Sequence, residues 1–493
     1  MIFASGIPKL SEIRKKYDNQ YHADETSIIQ ELIKTAELSP AEAKKAHSLA
    51  HNFVTNVREA EMYKGGIEAL MRYYDLSCEE GVLLMCLAEA LLRIPDAPTK
   101  DLLIRDKIGD IDWNEHLGES DSAFVNLATR GLRLSSKIIG NEDSQNFLTG
   151  IWKGLVKRTG VPVVRKAVRQ SMKVLSEQFV LGQSIEEALK TSKKFVADGY
   201  SYSYDMLGEV ARTQVDADRY YLDYEHAITS IKDADPEVLK NASISVKLSA
   251  LHPRYEFFQR EKVISVLEGR LLHLCKLAKE VGIVLTVDAE ETDRLDLSLD
   301  IIAKVFASEE LKDWNGLGLA VQAYQKRAFW VLDYLIELAR MHNKIFMVRL
   351  VKGAYWDSEI KIAQENGVDQ YPVFTRKVNT DVSYLACARK MLAAQDAIYS
   401  QFATHNAYSV AAVLAMMDDY KKFDFEFQNL QGMGKALHDQ VVGEKGMGIK
   451  CRIYAPVGNH EDLLPYLVRR LLENGANSSF INQIVDEIGR AHV

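Results

Sequence analysis

Cysteines and long apolar runs are both scarce in this chain. Its five cysteines are Cys78, Cys86, Cys275, Cys387 and Cys451, and no two of them have the spacing of a metal site. An odd, scattered set is typical of a reducing compartment, where a free cysteine packs as a small apolar side chain. No window approaches ~18 uninterrupted apolar residues, and the start of the chain does not resemble a secretory signal. The sequence therefore predicts a cytoplasmic protein without a membrane span.

Positive charge is also in short supply. Asp and Glu total 69 against 61 Lys and Arg, which gives a formal net charge of -8. Because no run of basic residues is present, a general binder of polyanions is not predicted, and nucleic acid is not an expected partner. The 47% hydrophobic and 26% charged residues are typical of globular proteins. A chain of 493 residues is too long for one ordinary core, so two or three folded units are expected.

The spacing of apolar residues changes near residue 200. From about residue 25 to 189 apolar residues recur at helical spacing, as in Gly81–Ile94 and Phe124–Ile139. A helix is predicted to start at Ser39, with Pro40 in its first turn and Glu42 reaching back to the cap. After about residue 200, short runs of β-branched or aromatic residues alternate with longer helical stretches.

Eight strands are predicted in this second part. They are Tyr202–Leu207, Ile244–Ala250, Ile283–Glu290, Leu317–Tyr324, Lys344–Ala354, Phe402–Asn406, Phe423–Leu430 and Cys451–Gly458. Eight strands separated by helices over roughly 280 residues predict an α/β fold of the (βα)8 TIM-barrel type. A doubly wound sheet is the competing architecture, but the sequence lacks the GxGxxG turn that usually follows an early strand of that fold.

Many polar side chains lie at the carboxyl ends of these predicted strands. They are Lys247, Asp288, Glu290, Gln322, Arg349, Lys352, Tyr355, Thr404, His405, Asn406, Gln428, Arg452 and Tyr454. The active site of a barrel lies at this end of its strands. Each buried polar group without a partner costs ~1–3 kcal/mol, so the whole set indicates a ligand, although any single member could be satisfied by its neighbours.

The chemical types in this set favour a large anionic ligand. Cations, amides and hydroxyls outnumber carboxylates, as a phosphate-bearing cofactor requires. The run Thr375-Arg376-Lys377 suits a pyrophosphate, although an exposed helix start would look the same.

Two hydrolytic activities are the alternatives to that interpretation. A metal-dependent barrel hydrolase could use Asp288, Glu290 and His405, although such sites normally need more His and carboxylate ligands. A glycosidase needs two carboxylates on different strand ends, whereas Glu359 and Glu426 fall in a helix and inside a strand. No metal is therefore predicted.

The last predicted helix carries a polar stripe opposite its leucines. Tyr466, Arg469, Arg470 and Glu473 are spaced i, i+3, i+4 and i+7, so they share one face. This face could be solvated and stabilised by a Glu473–Arg469 pair worth only ~0.3–0.5 kcal/mol. Two adjacent guanidinium groups and a tyrosine could equally clamp a carboxylate. Periodicity does not choose between the two.

Ordered stretches along almost the whole chain resemble the proline dehydrogenase part of the bacterial proline utilization A flavoproteins. They include ISVKLSALHPRYE, TVDAEE, MVRLVKGAYWDSEIK, FATHNA and YLVRRLLENGAN, the last fitting the family's Tyr-x-x-Arg-Arg-x-x-Glu signature. The resemblance implies a helical arm (1–60), a helical domain (61–165) and an FAD-binding (βα)8 barrel (166–485). The ending, 486–493, does not resemble the family's continuation and suggests a truncated chain with a foreign tail.

The resemblance also implies roles for individual residues. Implied substrate contacts are Lys247, Tyr355, Leu430, Tyr454, Tyr466, Arg469 and Arg470, with Asp288 supporting Tyr454 and Glu209 pairing with Arg469. Implied FAD-site residues are Asp288, Gln322, Arg349, Lys352, Gly353, Ala354, Trp356, Thr375, Arg376, Lys377, Thr404, His405, Asn406, Gln428 and Glu473.

The implied activity is the first step of proline catabolism to glutamate. L-proline would be oxidised to Δ1-pyrroline-5-carboxylate by hydride transfer to flavin N5, and the electrons would pass to a quinone. A membrane quinone implies transient peripheral contact with the inner membrane. The family's aldehyde dehydrogenase module and its amino-terminal DNA-binding domain are not expected in this chain. A non-enzymatic scaffold with a vestigial barrel is the remaining alternative.

Overall fold

Eight parallel strands close into a barrel in the computed structural model, which describes residues 11–61 and 180–458. The strands are β1 Tyr200–Met206, β2 Ala242–Val246, β3 Val284–Val287, β4 Leu317–Gln322, β5 Phe346–Val351, β6 Ile398–Ala403, β7 Phe425–Leu430 and β8 Lys450–Val457. Each strand pairs with the next, and β8 closes on β1 with Tyr200 opposite Cys451 and Met206 opposite Val457. The predicted (βα)8 fold is confirmed.

All eight predicted strands overlap an observed one, but β6 is displaced. It covers Ile398–Ala403, so only its last two residues fall within the predicted Phe402–Asn406. Asn406 instead caps the following helix, its side chain accepting a hydrogen bond from the Ser409 backbone N–H at 2.8 Å. Asparagine favours such caps because its side chain competes with the strand for backbone donors.

Helices cover the outside of the barrel. Three precede it, α1 Glu12–Asp18, α2 Glu25–Ala36 and α3 Pro40–Glu61, and α4 Ile185–Val196 leads into β1. The others are α5 Gln214–Lys232, α6 Pro236–Lys240, α7 Arg260–Val281, α8 Leu295–Phe306, α9 Ala328–Met341, α10 Trp356–Glu365, α11 Lys377–Leu392, α12 Ala407–Ala415 and α13 Lys435–His438. None of these described helices is long and apolar enough to cross a membrane.

Helix α7 shows how the sequence builds this outer layer. Leu267, Leu271, Leu274 and Ala278 recur at helical spacing, and all four are completely buried. The helix ends at Gly282, whose φ of 83° lies in the left-handed region where a side chain is disfavoured. The chain then enters β3 within two residues.

The three helices before the barrel form an arm, α1 to α3, that packs on its outer surface. Helix α1 lies against α9, α2 against α11 and α3 against α12. The predicted start of α3 is confirmed, because the Ser39 N–H donates to the Glu42 carboxylate at 2.7 Å and the Glu42 N–H donates back to Ser39 Oγ at 3.3 Å. Part of the long helical region expected between residues 25 and 189 lies outside the described residues.

Candidate active site

The inner face of the barrel carries polar side chains where many barrels carry bulky apolar ones. On β7 the strand pleat directs Glu426 and Gln428 inward, because residues two apart lie on the same face. Arg349 on β5 and Arg452 on β8 point into the same interior. Since all four are buried or nearly so, their hydrogen-bonding groups must be satisfied by one another or by a ligand.

Arg349 is the centre of this network. Its side chain is only 5% exposed, and its Nη1 donates to Asp288 Oδ1 at 2.6 Å. Nε donates to Gln428 Oε1 at 2.8 Å, and Nη2 donates to the Ser245 hydroxyl at 2.9 Å. Charge-assisted bonds in several directions hold the guanidinium plane in one orientation.

Asp288 joins Arg349 to the residues expected to contact substrate. Its Oδ2 accepts a hydrogen bond from the Tyr454 hydroxyl at 2.6 Å and lies 3.3 Å from Lys247 Nζ. Lys247 Nζ in turn donates to Asp205 Oδ1 at 2.5 Å and to the Tyr454 hydroxyl at 3.3 Å. The structure thus brings the predicted Lys247, Asp288, Arg349 and Tyr454 together and adds Asp205.

Burial and charge act in opposite directions on the pKa values in this cluster. Burial alone would lower the pKa of Lys247, but the Asp205 carboxylate raises it well above its ordinary value. Burial alone would raise the pKa of Asp288, but Lys247 and Arg349 lower it below its ordinary value. Lys247 and Asp288 are therefore both charged at neutral pH.

Gln322 and Glu290 form a second group beside this cluster. The Gln322 amide donates to the Glu290 backbone carbonyl at 2.9 Å. The Glu290 carboxylate accepts from the Ser249 backbone N–H at 3.1 Å and from Arg294 Nη1 at 3.0 Å. Burial raises the pKa of Glu290 to about 7, despite the lowering effect of Arg294.

The segment that follows β5 approaches the strand ends closely. Lys352 is buried and forms an ion pair with Asp381. Gly353 has a φ of 143°, and a Cβ there would lie 2.5 Å from the Tyr324 ring, so only glycine fits. Ala354 and Tyr355 are half-buried, and the indole of half-buried Trp356 donates to the Phe374 carbonyl at 2.8 Å.

The run predicted to hold a pyrophosphate lies at the start of α11 and contacts the arm. Thr375, Arg376 and Lys377 are exposed. Glu25 of α2 accepts hydrogen bonds from the Thr375 N–H at 3.1 Å and hydroxyl at 2.9 Å, and from the Asn379 amide at 2.6 Å. The arm thus places a carboxylate beside the run that is predicted to hold a pyrophosphate.

Three predicted cofactor residues follow β6. Thr404 is buried, and its hydroxyl accepts from the Asn406 N–H at 3.1 Å. His405 Nε2 accepts from the Leu430 backbone N–H at 3.0 Å. Leu430 packs against Tyr454, so the ends of β6, β7 and β8 are held together.

For some predicted site residues, membership of this cluster stays a prediction. Tyr466, Arg469, Arg470 and Glu473 lie outside the described residues, and Glu209 is half-buried in the loop that follows β1. Sequence reasoning missed Asp205, a fully buried carboxylate inside the predicted first strand. The signal was available, because an acidic residue inside a predicted buried strand needs a partner.

The three residues of the metal-hydrolase alternative are engaged elsewhere. The Asp288 oxygens contact Arg349, Tyr454 and Lys247, and the Glu290 oxygens contact Ser249 and Arg294. Within residues 11–61 and 180–458, no group of three or more His, Cys, Asp or Glu side chains is arranged to hold a metal ion. The observed pairing favours an organic anion.

Fold and site together define a (βα)8 barrel enzyme whose site, at the carboxyl ends of its strands, holds buried cations paired with carboxylates. The family model described as "Proline dehydrogenase" matches residues 188–483, so the chain belongs to the proline dehydrogenase family. The "Proline utilization A proline dehydrogenase N-terminal domain" matches residues 11–58. The "DNA-binding domain of Proline dehydrogenase" matches residues 66–179, which lie outside the described residues. This match goes against the expectation that the chain lacks a DNA-binding domain of the family, whereas the expected absence of a nucleic-acid partner stays a prediction.

Individual relatives agree with this assignment. The "Bifunctional protein PutA" of Salmonella typhimurium is 47% identical over 493 residues, which cover 98% of this chain and 37% of that protein. The "Proline dehydrogenase" of Deinococcus radiodurans is 26% identical over 334 residues, which cover 65% of this chain and 93% of that protein. A crystal structure of a Bradyrhizobium japonicum proline utilization A (PutA) mutant has a TM-score of 0.71 at 48% identity, covering 95% of this chain and 47% of that chain. This chain thus spans less than half of the length of the PutA proteins it matches.

FAD is the cofactor of this family, and the residues present fit it. The strand ends supply the buried cations Arg349 and Lys352 and the amides of Gln322 and Gln428. Gly353 leaves backbone close to the site without a side chain. Such donors suit an anionic cofactor whose ring system accepts several hydrogen bonds.

Proposed function

We propose that this chain oxidises L-proline to Δ1-pyrroline-5-carboxylate with bound FAD, the first step of proline catabolism to glutamate. The observation that carries the proposal is the buried cluster of Lys247, Asp288, Arg349 and Tyr454 at the strand ends. Membership of the proline dehydrogenase family supports it.

The substrate is held by charge at one end and by shape at the other. Lys247 is a buried cation and binds the proline carboxylate, together with Arg469 and Arg470 from the last predicted helix. The proline ring is enclosed by Tyr454, Tyr466 and Leu430, and Tyr355 lies beside it. Glu209 pairs with Arg469 over the bound substrate.

Arg349 faces the cofactor. When bound, the flavin supplies the acceptor for the hydride that leaves the ring carbon next to the proline nitrogen. The Arg349 guanidinium stabilises the negative charge that develops on the cofactor side. The remaining cofactor contacts are Asp288, Gln322, Lys352, Gly353, Ala354, Trp356, Thr375, Arg376, Lys377, Thr404, His405, Asn406, Gln428 and Glu473.

The proposal extends to organisation and partners. The proposed parts are an arm (1–60), a helical domain (61–165) and a barrel (166–485), followed by a short tail (486–493). The three family matches support this order, although the second of them extends to residue 179 and the third begins at residue 188. A quinone takes the electrons. The protein resides in the cytoplasm and contacts the inner membrane transiently at its periphery.

An absorption spectrum recorded before and after anaerobic addition of L-proline tests this function. We expect flavin bands at about 380 and 450 nm, and loss of the longer-wavelength band with proline. Pyrrolidine is the matched control, since it has the same ring without a carboxylate for Lys247 to bind. A colourless protein, or flavin bands that L-proline leaves unchanged, would overturn the proposal.

A further inference from the structure

Glu426 is a carboxylate sealed inside the barrel, one pleat below the proposed cofactor site. Its side chain is 1% exposed. Its Oε1 accepts hydrogen bonds from Gln401 at 2.9 Å, Gln428 at 2.7 Å and Arg452 Nε at 2.7 Å. Its Oε2 accepts a second bond from Arg452 at 3.0 Å and a longer one from the Tyr399 hydroxyl at 3.5 Å.

The contact with Gln428 decides which way that amide faces. A glutamine side chain has a donor end and an acceptor end. Because Gln428 Nε2 donates to Glu426, its Oε1 is turned towards Arg349, where it accepts from Nε at 2.8 Å. The reversed amide would place two acceptors against each other at Glu426 and two donors against each other at Arg349. A charged acceptor below and a charged donor above therefore select one orientation.

This orientation matters because Arg349 supports the rest of the cluster. Its Nη1 is bonded to Asp288, which in turn holds the Tyr454 hydroxyl and Lys247. A continuous chain of hydrogen bonds thus leads from Glu426 through Gln428 and Arg349 to the substrate-facing groups. If Glu426 served only as the counter-ion of Arg452, its hydrogen bond to Gln428 would have no effect on the site.

We propose that Glu426 is a positioning residue for the flavin site: through the Gln428 amide, it holds Arg349 in the orientation that stabilises negative charge on the reduced cofactor. The inference rests on the proposed function, because that function places Arg349 beside the flavin. It predicts an effect on the midpoint potential of the bound flavin, a quantity that does not require turnover.

Glu426→Gln is the test variant. A glutamine at this position keeps the volume, but it can donate to Gln428 as well as accept from it. Only Arg349 then selects the orientation of the Gln428 amide, so the reversed amide, which deprives Arg349 of its Nε partner, becomes more populated. We expect about a tenfold loss of preference for reduced over oxidised flavin, which lowers the midpoint potential by about 30 mV for a two-electron couple. The potential is measured by equilibration with a reference dye under anaerobic conditions.

The sign of the shift separates this mechanism from simple loss of charge. Removing a buried negative charge near the flavin makes reduction easier and raises the potential through space. A raised or unchanged potential in Glu426→Gln therefore overturns the proposal, and a lowered one supports it.

Two further variants test the route through Gln428. Gln401→Met removes another donor to the same carboxylate without touching Arg349, and we expect an unchanged potential. In a Gln428→Met background the route is already broken, so adding Glu426→Gln should lower the potential no further. An equal further fall in that background contradicts the proposed route.

Glu426→Asp covers the case in which Glu426→Gln does not fold. The aspartate keeps the charge beside Arg452 but is one methylene shorter, so it no longer reaches both Arg452 and Gln428. We expect a lowered potential here too, and an unchanged value overturns the inference. If the wild-type protein shows no flavin that proline reduces, it is the proposed function that fails. If proline does reduce the flavin of the wild-type protein and the variants leave the midpoint potential unchanged, only the role of Glu426 is wrong.

Discussion

At the scale of single residues, Asp288 has the most demanding position. It lies between Arg349 and Lys247, and its Oδ2 also accepts a hydrogen bond from the Tyr454 hydroxyl. Removing one partner of a buried ion pair leaves the other charge uncompensated, which typically costs 3–5 kcal/mol. The cluster is therefore expected to be both the stability centre and the chemical centre of the barrel.

Asp288→Asn should lower the free energy of unfolding at pH 7 by about 3 kcal/mol and slow the reduction of flavin by proline. Because the pKa of Asp288 is lowered in the folded protein, its contribution is present above the unfolded value of about 3.9 and is lost as pH falls through the folded value. Urea denaturation at several pH values measures this. Asp396→Asn, which disturbs only an exposed pair with Arg340, is the control and should have little effect. Equal losses in the two variants would contradict the central role of Asp288.

Glu290 should give the protein a pH dependence of the opposite sign. Burial raises the pKa of Glu290 from 4.5 to about 7, so the folded state binds a proton that the unfolded state has already lost. The contribution of Glu290 to the free energy of unfolding therefore falls by about 3 kcal/mol as pH rises from about 4.5 to 7, and it levels off above that range. Glu290→Gln cannot bind this proton. Its free energy of unfolding, measured from denaturation curves, should therefore rise relative to that of the wild type as pH rises across this range. A constant difference between the two proteins would refute the assignment.

At the scale of elements, the arm is joined to the barrel by polar contacts near helix ends. Glu25 accepts hydrogen bonds from Thr375, just before α11, and from the side-chain amide of Asn379 in its first turn. At the other end of the arm, Arg14 pairs with Asp296 and Asp300 of α8. The arm thus braces the helix that carries the proposed pyrophosphate residues.

Glu25→Ala should release this end of the arm. Loss of the hydrogen bonds to Thr375 and Asn379 costs about 1 kcal/mol, which raises the population of the locally open arm about fivefold. The rate of tryptic cleavage within residues 11–61 reports that population when opening is fast. Glu12→Ala is the matched control, because Glu12 also lies in a first helical turn but pairs only with exposed Lys15. Equal cleavage rates in the two variants would show that Glu25 does not anchor the arm.

At the scale of the whole molecule, charge argues against strong binding to DNA. The formal net charge is -8, and residues 66–179, which match the DNA-binding model, contain 15 Lys and Arg against 16 Asp and Glu. Non-specific binding to DNA depends on cations that neutralise phosphates. We therefore expect no retardation of a generic duplex by micromolar protein at physiological salt in a gel-shift assay. A retarded complex that survives competitor DNA would show that residues 66–179 form a specific site.

Much of the barrel follows from local patterns. The alternation of short β-branched runs with amphipathic helices depends on neighbours in the sequence, and it located all eight strands, with only β6 misplaced by the competing cap at Asn406. The polar residues at the strand ends were equally visible, because polar groups in buried strands are costly without partners. The family resemblance extended this to the last helix, whose role as a substrate clamp stays a prediction because it lies outside the described residues.

What the sequence by itself determined, then, is the barrel and the chemical character of its site. Only the tertiary structure decided the pairings: Asp205 with Lys247, Glu25 with Thr375, and Glu426 with the donor end of the Gln428 amide. Glu25 and Thr375 are 350 residues apart. The physical reason is that a periodic pattern specifies which face of an element is buried, whereas an ion pair or an amide orientation depends on which distant side chains the closed barrel brings within about 3 Å.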